Sequence, residues 1–123
     1  MKILVIGSNG QLGRSLSISL PRSYPTTIFC DRQAMDLTQL GSIRAKLESM
    51  RPQVIINASA YTAVDQAEQE TELALTVNRD AVGEIASYCA AVDAVLIHVS
   101  TDYVFDGAAS APYVETADTN PRG

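Results

Sequence analysis

Three glycines punctuate the first reversal of the chain. Gly7-Ser8-Asn9-Gly10-Gln11-Leu12-Gly13 has G-x-x-G-x-x-G spacing and follows the apolar run Ile3-Leu4-Val5-Ile6. A strand that turns into a helix within a few residues needs a positive φ, which glycine adopts without steric cost. Bare Cα atoms also let a pyrophosphate approach the backbone. The free N–H groups and partial positive charge of a helix start suit such an anion. Gly13 would let the helix pack closely on the sheet. An ordinary glycine-rich turn would share this spacing. The place of the motif, after an N-terminal apolar run and before a helical pattern, points to a nucleotide. Asp31 ends the second apolar run, roughly 20 residues on, where an acidic group hydrogen-bonds an adenosine ribose. A carboxylate there would also repel a 2′-phosphate. Arg32 beside it would do the opposite, and as a solvated turn residue Asp31 would do neither. Asp36-Leu37 would edge an adenine, although Asp36 as a helix N-cap would look the same.

Two later segments also bring polar groups to strand ends, where ligands of parallel sheets bind. Asn57-Ala58-Ser59-Ala60-Tyr61-Thr62 follows the third apolar run, and its small residues would let a flat ligand lie against the backbone. Ser100-Thr101-Asp102-Tyr103-Val104-Phe105-Asp106-Gly107 follows the fourth and carries a hydroxyl pair with a carboxylate. A capped strand end would account for Thr101 and Asp102 equally simply. His98, interior to the fourth run, reads as a satisfied core histidine before an acid or base.

Periodicity supplies the elements that must position these groups. Ile3 to Ile6 is a β-branched apolar run, expected of a strand covered on both faces. Leu12, Leu16 and Leu20 form a helical stripe that Pro21 closes. Thr26 to Cys30 reads as strand two. Leu40, Ile43, Leu47 and Met50 mark one face of a second helix, ended by Pro52. Val54 to Ile56 is strand three. A long helix from about Glu70 to Ala91 buries Leu73, Val77, Ala81, Ile85 and Tyr88, and its acidic start suits the helix dipole. Ala94 to Val99 is strand four. Beyond it, Asp106-Gly107, Pro112 and Pro121 mark a mostly irregular segment. Apolar strands alternating with amphipathic helices predict an α/β fold, a doubly wound parallel sheet of about four strands.

Composition narrows the function classes. The 123 residues suffice for one domain, and 46% of them are apolar, enough for a core. Nine basic against fourteen acidic residues give a net charge of −5, which disfavours nucleic-acid partners. One phosphorylated small molecule held by backbone N–H groups is still compatible with that charge. Cys30 and Cys89 read as buried, reduced core thiols rather than a disulfide scaffold. No segment approaches the ~20 apolar residues of a membrane span, and the Lys2-Ile3-Leu4-Val5-Ile6 start is too short for a signal peptide. The expectation is a cytoplasmic protein.

Four segments together, MKILVIGSNGQLG, RPQVIINASAYTAVDQAE, VNRDAVGEIA and VLIHVSTDYVFDG, resemble the dTDP-4-dehydrorhamnose reductase family of the extended short-chain dehydrogenases/reductases. The resemblance covers essentially the whole chain and implies a Rossmann-type NAD(P)-binding domain over residues 1–123. It implies NADH or NADPH as cofactor and hydride transfer to C4 of a dTDP-linked 4-keto sugar, dTDP-4-dehydro-L-rhamnose. Gly7, Gly10, Gln11, Leu12 and Gly13 would line the pyrophosphate, and Asp31, Asp36 and Leu37 the adenosine. Ser59, Ala60, Tyr61 and Val99 would border the ribose and nicotinamide. Thr101 would hydrogen-bond the sugar carbonyl, with Asp102, Val64 and Asp65 near the substrate. Asn78 resembles a position that braces the sheet, though a helix-surface Asn is as plausible.

One part of the family pattern is absent. Its proton donor is a Tyr followed four residues later by Lys. Here Tyr24, Tyr61, Tyr88, Tyr103 and Tyr113 are followed at that distance by Ile28, Asp65, Val92, Gly107 and Ala117. The only lysines are Lys2 and Lys46. The expectation is therefore a chain truncated just before that pair, inactive alone, with strand four exposing an edge open to self-association. The alternatives are a non-catalytic dinucleotide-binding or regulatory module and, against the STDYVFDG segment, a nucleotide-sugar epimerase or dehydratase fragment.

Overall fold

The computed structural model describes residues 1–122, apart from the Val64 side chain. Four parallel strands form one sheet: β1 (Ile3–Ile6), β2 (Ile28–Cys30), β3 (Val54–Asn57) and β4 (Val95–His98), in the spatial order β2-β1-β3-β4. The α-helices are α1 (Gln11–Ser19), α2 (Leu40–Met50), α3 (Val64–Ala67), α4 (Thr71–Leu75) and α5 (Ala81–Val92). The chain moves one way from β1 to β2, then back past β1 to β3 and β4. Right-handed crossovers therefore set α1 on one face, and α2 and α5 on the other. The core lies on that second face. Leu4, Ile6, Cys30 and Ile55 meet Ile43 and Leu47 of α2 and Ile85, Tyr88 and Cys89 of α5. In-register rows, Ile28-Leu4-Ile55-Leu96 and Cys30-Ile6-Asn57-His98, run across the sheet beneath these helices.

The doubly wound parallel fold is as expected, and several boundaries differ for local reasons. Pro21 does not close the first helix. α1 already ends at Ser19, and Pro21 sits in a 3-10 turn, Leu20–Arg22, where its missing N–H costs nothing. β2 starts only at Ile28, because the hydroxyl and N–H of Thr27 both bond the Tyr24 carbonyl in a turn. The expected long helix is segmented into α4, a π turn (Thr76–Asp80) and α5, with the short α3 before them. The stripe Leu73-Val77-Ala81-Ile85 advances in steps of four, which overrun a 3.6-residue turn. The wide turn absorbs that excess and keeps Val77, Ala81 and Ile85 buried.

β4 is one residue shorter at each end than the expected Ala94 to Val99, and it departs from expectation at His98. Leu96 faces the core, but Val95 and Ile97 point to the other face and are 56% and 48% exposed. Among the described residues β4 has β3 on one side and no strand on the other. His98 is exposed, not a core residue, and its one hydrogen-bond partner among the described residues is Asn57.

Candidate functional site

The glycine turn is built by backbone contact. Gly7 has φ +83°, and a Cβ there would lie 2.7 Å from the Ser59 nitrogen. The N–H groups of Gly7 and Ser8 both donate to the Cys30 carbonyl at 3.0 Å, tying the end of β1 to β2. Gly13 is buried, and a Cβ there would overlap the Gly7 carbonyl oxygen. Both glycines are thus demanded by the fold. Gly10 is not. Its φ is −74°, and an added Cβ would meet nothing closer than the Gly7 oxygen at 3.5 Å. No side chain caps α1, so its first-turn N–H groups stay open.

A cavity of about 710 Å³ lies at the carboxyl ends of β1, β2 and β3, beside the start of α1. Gly7, Gly10, Gln11 and Leu12 line one wall, Arg32, Asp36 and Leu37 the second, and Ser59, Ala60 and Tyr61 the third. Leu12, the first residue of the α1 stripe, is exposed and lines this cavity. Asp36 does not cap α2, whose N-cap is Gln39. Its Oδ1 accepts from the Thr38 N–H (2.9 Å) and hydroxyl (2.7 Å), closing an Asx turn. The Thr38 hydroxyl, more than its N–H, holds the Asp36 carboxyl below the usual range.

The third wall is held by two side-chain amides. Asn57, buried at the end of β3, accepts from the Ser59 N–H (3.1 Å), and its Nδ2 lies 3.3 Å from His98 Nδ1. Asn78, in the π turn, accepts from the Tyr61 N–H (2.8 Å) and donates to the Tyr61 carbonyl (3.2 Å). It is therefore a brace for the loop after β3, not a free helix-surface residue. The Tyr61 hydroxyl donates to Glu70 at 2.6 Å, and this bond raises its pKa. Tyr61 is thus a tyrosine made less acidic, the opposite of an activated proton donor.

Other expected site residues lie elsewhere. Asp31 does not line the cavity, because its Oδ1 is turned back to accept from the Ala34 N–H (2.9 Å). Gly13 is spent on packing against the turn. Val99 and Asp65 are exposed away from the cavity wall, and the Val64 side chain lies outside the described residues. Thr101 and Asp102 are exposed beyond β4. Thr101 Oγ1 accepts from the Tyr103 N–H (3.2 Å), capping a short 3-10 turn, Asp102–Val104. Sequence reasoning missed Asn9, Met35, Thr38, Leu73 and Val77 as wall residues. Of these only Thr38 left a signal, the Asp-x-Thr spacing of an Asx turn.

A family model described as RmlD substrate binding domain matches residues 1–123. A dTDP-4-dehydrorhamnose reductase of Burkholderia thailandensis is 44% identical over 98% of this chain and 40% of its own length. The chain thus spans about two fifths of that relative. Among solved structures, a dTDP-4-dehydrorhamnose reductase from Clostridium acetobutylicum superposes with a TM-score of 0.93 at 38% identity, covering 98% of this chain and 43% of that one. The enzyme of the same name from Bacillus anthracis, solved in complex with NADP, gives a TM-score of 0.90 at 36% identity, with 98% and 43% covered. The sheet order, the glycine turn and the match along the whole chain therefore agree that this protein belongs to the RmlD substrate binding domain family.

Proposed function

We propose that the cavity binds NADH or NADPH, and that the chain is the cofactor-binding part of a reductase acting on the C4 keto group of dTDP-4-dehydro-L-rhamnose. Gly10 carries the cofactor reading. The fold demands Gly7 and Gly13 but leaves ordinary space at Gly10, so its missing side chain serves whatever enters the cavity. A pyrophosphate would lie against Gly10 and take the first-turn N–H groups of α1. The Asp36-Leu37 wall would hold the adenosine, and Ser59 to Tyr61, braced by Asn57 and Asn78, the ribose and nicotinamide. The bound dinucleotide supplies a hydride.

Thr101 would donate a hydrogen bond from its hydroxyl to the sugar carbonyl as negative charge develops there. Asp102, Val64 and Asp65 would adjoin the substrate. Proton delivery needs a further group. Tyr61 is tied to Glu70, and no Tyr in the chain has a Lys four residues on, so these 123 residues alone reduce no 4-keto sugar. The buried free thiols Cys30 and Cys89, both raised in pKa by burial, suit a reducing cytoplasm. The open side of β4, with Ile97 and Val99 about half exposed, favours pairing with a second copy. A purely monomeric mass by light scattering would exclude that pairing.

Titrating NADPH fluorescence with the chain tests the cofactor reading. Saturable binding is expected, lost in Gly10→Val while the circular dichroism spectrum is kept. The absence of binding to the unaltered chain refutes it, and turnover of the 4-keto sugar by the chain alone refutes the predicted inactivity.

A further inference from the structure

The ends of β3 and β4 are joined by one side-chain contact that the cofactor reading does not use. Asn57 and His98 are in-register partners, and Asn57 Nδ2 lies 3.3 Å from His98 Nδ1. Asn57 is buried, and its Oδ1 accepts from the Ser59 N–H at 3.1 Å. That bond fixes the amide: the oxygen faces Ser59, so the NH2 group faces His98. An amide NH2 can only donate. His98 Nδ1 must therefore accept, and the neutral ring carries its proton on Nε2.

Protonation reverses this. An imidazolium donates at both nitrogens, so its Nδ1–H would meet the Asn57 NH2 donor to donor. Flipping the Asn57 amide would suit His98 but set the NH2 against the Ser59 N–H. Either His98 leaves Asn57 or Asn57 leaves Ser59, and a buried amide group loses its partner. Of the elements packed on β4, β3 has no titratable side chain, and α5 has Glu84, Tyr88 and Cys89. Burial raises the pKa of Tyr88 and of Cys89, which keeps both neutral, and Glu84 is exposed. Among the described residues none of the three bonds His98, and no ion pair includes it. His98 is the only histidine of the chain, and imidazole is the side chain whose charge ordinarily changes between pH 5 and 8.

We propose that His98 is a positioning residue for the cavity: as the neutral Nε2–H tautomer it holds Asn57, and through Asn57 the Ser59 wall, and it releases that hold when protonated. The effect on ligand binding rests on the dinucleotide reading above; the tautomer and its link to Ser59 do not.

NMR of the full chain without ligand tests the link. At pH 8 the ring nitrogens should report Nε2–H and an unprotonated Nδ1. On lowering to pH 5.5, the Asn57 side-chain amide and the Ser59 N–H should shift with the same midpoint as the ring. NADH, which has no group titrating in this range, then reads the cavity. Its affinity by fluorescence should fall at least threefold from pH 8 to pH 5.5. His98→Asn sets an oxygen where Nδ1 stood and cannot be protonated, so it should keep the pH 8 affinity and lose the pH dependence. His98→Leu should bind NADH at both pH values as weakly as the unaltered chain does at pH 5.5. An Nδ1–H tautomer, a Ser59 signal indifferent to the ring, or a pH dependence that survives in His98→Asn overturns the proposal. Failure of NADH to bind at either pH overturns the dinucleotide reading alone, and the NMR titration then decides for His98.

Discussion

The strand ends of β1 and β3 and the strand end of β4 carry similar polar residues but are held very differently. Around Gly7 and Ser59 two backbone segments meet so closely that a single methyl group would collide. Asn57 and Asn78 then lock the loop that follows β3. Past β4, Thr101 and Asp102 hold only near neighbours in sequence, and both are exposed. The difference follows from sheet position. β1 and β3 each have strands on both sides, whereas β4, among the described residues, has a strand on one side only. A polar group at a central strand end is oriented by its surroundings, and one at an edge by its own turn.

Removing equal bulk from a central strand and from the edge strand should show this contrast most strongly. Ile55 of β3 is fully buried, and Ile55→Ala should cost about 2–5 kcal/mol by leaving a cavity. Ile97 of β4 is half exposed, and Ile97→Ala should shift stability by no more than about 0.5 kcal/mol. Urea denaturation followed by circular dichroism measures both. Similar losses would mean that β4 is covered in solution.

Within the glycine turn the contrast narrows to single positions. Gly13→Ala sets a Cβ against the Gly7 carbonyl and Ser8, backbone that cannot rotate away. The expected loss is about 1–3 kcal/mol, the cost of overpacking. Gly10→Ala, with ordinary contact distances, should change stability by under about 0.5 kcal/mol. The same unfolding experiment separates them. Equal effects would mean that the fold, and not a ligand, keeps Gly10 bare.

The sheet was legible because each strand is a run of apolar residues bounded by Gly, Pro or Asp, and each helix face repeats at helical spacing. The stripe from Leu73 to Tyr88 named the buried side correctly, but residue spacing alone did not reveal the π turn that keeps it continuous. In the site, Gly7, Gly10, Gln11, Leu12, Asp36, Leu37, Ser59, Ala60 and Tyr61 are brought together as expected. Asp31 lies outside the cavity wall, its side chain satisfying a backbone N–H three residues on, a local choice that residue type does not disclose. His98 was misplaced because alternation along a strand tells which residues share a face, not whether that face is covered.

The weakest contrast lies between two carboxylates, one in each region. At the cavity, the Thr38 hydroxyl and then its N–H hold Asp36 below the ordinary carboxylate range. Beyond β4, the Ala108 N–H, then the Tyr113 hydroxyl and Asn120 amide, do the same for Asp106, tying together a segment in which Phe105 stacks on Tyr113 at 4.3 Å. A folded-state pKa below the unfolded value stabilises the protein above the ordinary Asp pKa of about 3.9, and that contribution is lost as pH falls through the lowered value. Stability should therefore fall less between pH 6 and pH 3 in Asp36→Asn or Asp106→Asn than in the unaltered chain. The difference is small at either site because both groups face solvent, which screens them. Carboxyl NMR titrations resolve the two directly, and each midpoint should lie below that of an unhindered aspartate. An ordinary midpoint for Asp106 with a lowered one for Asp36 would show that the segment after β4 is not held by its hydrogen bonds in solution, which would widen the contrast between the two strand ends.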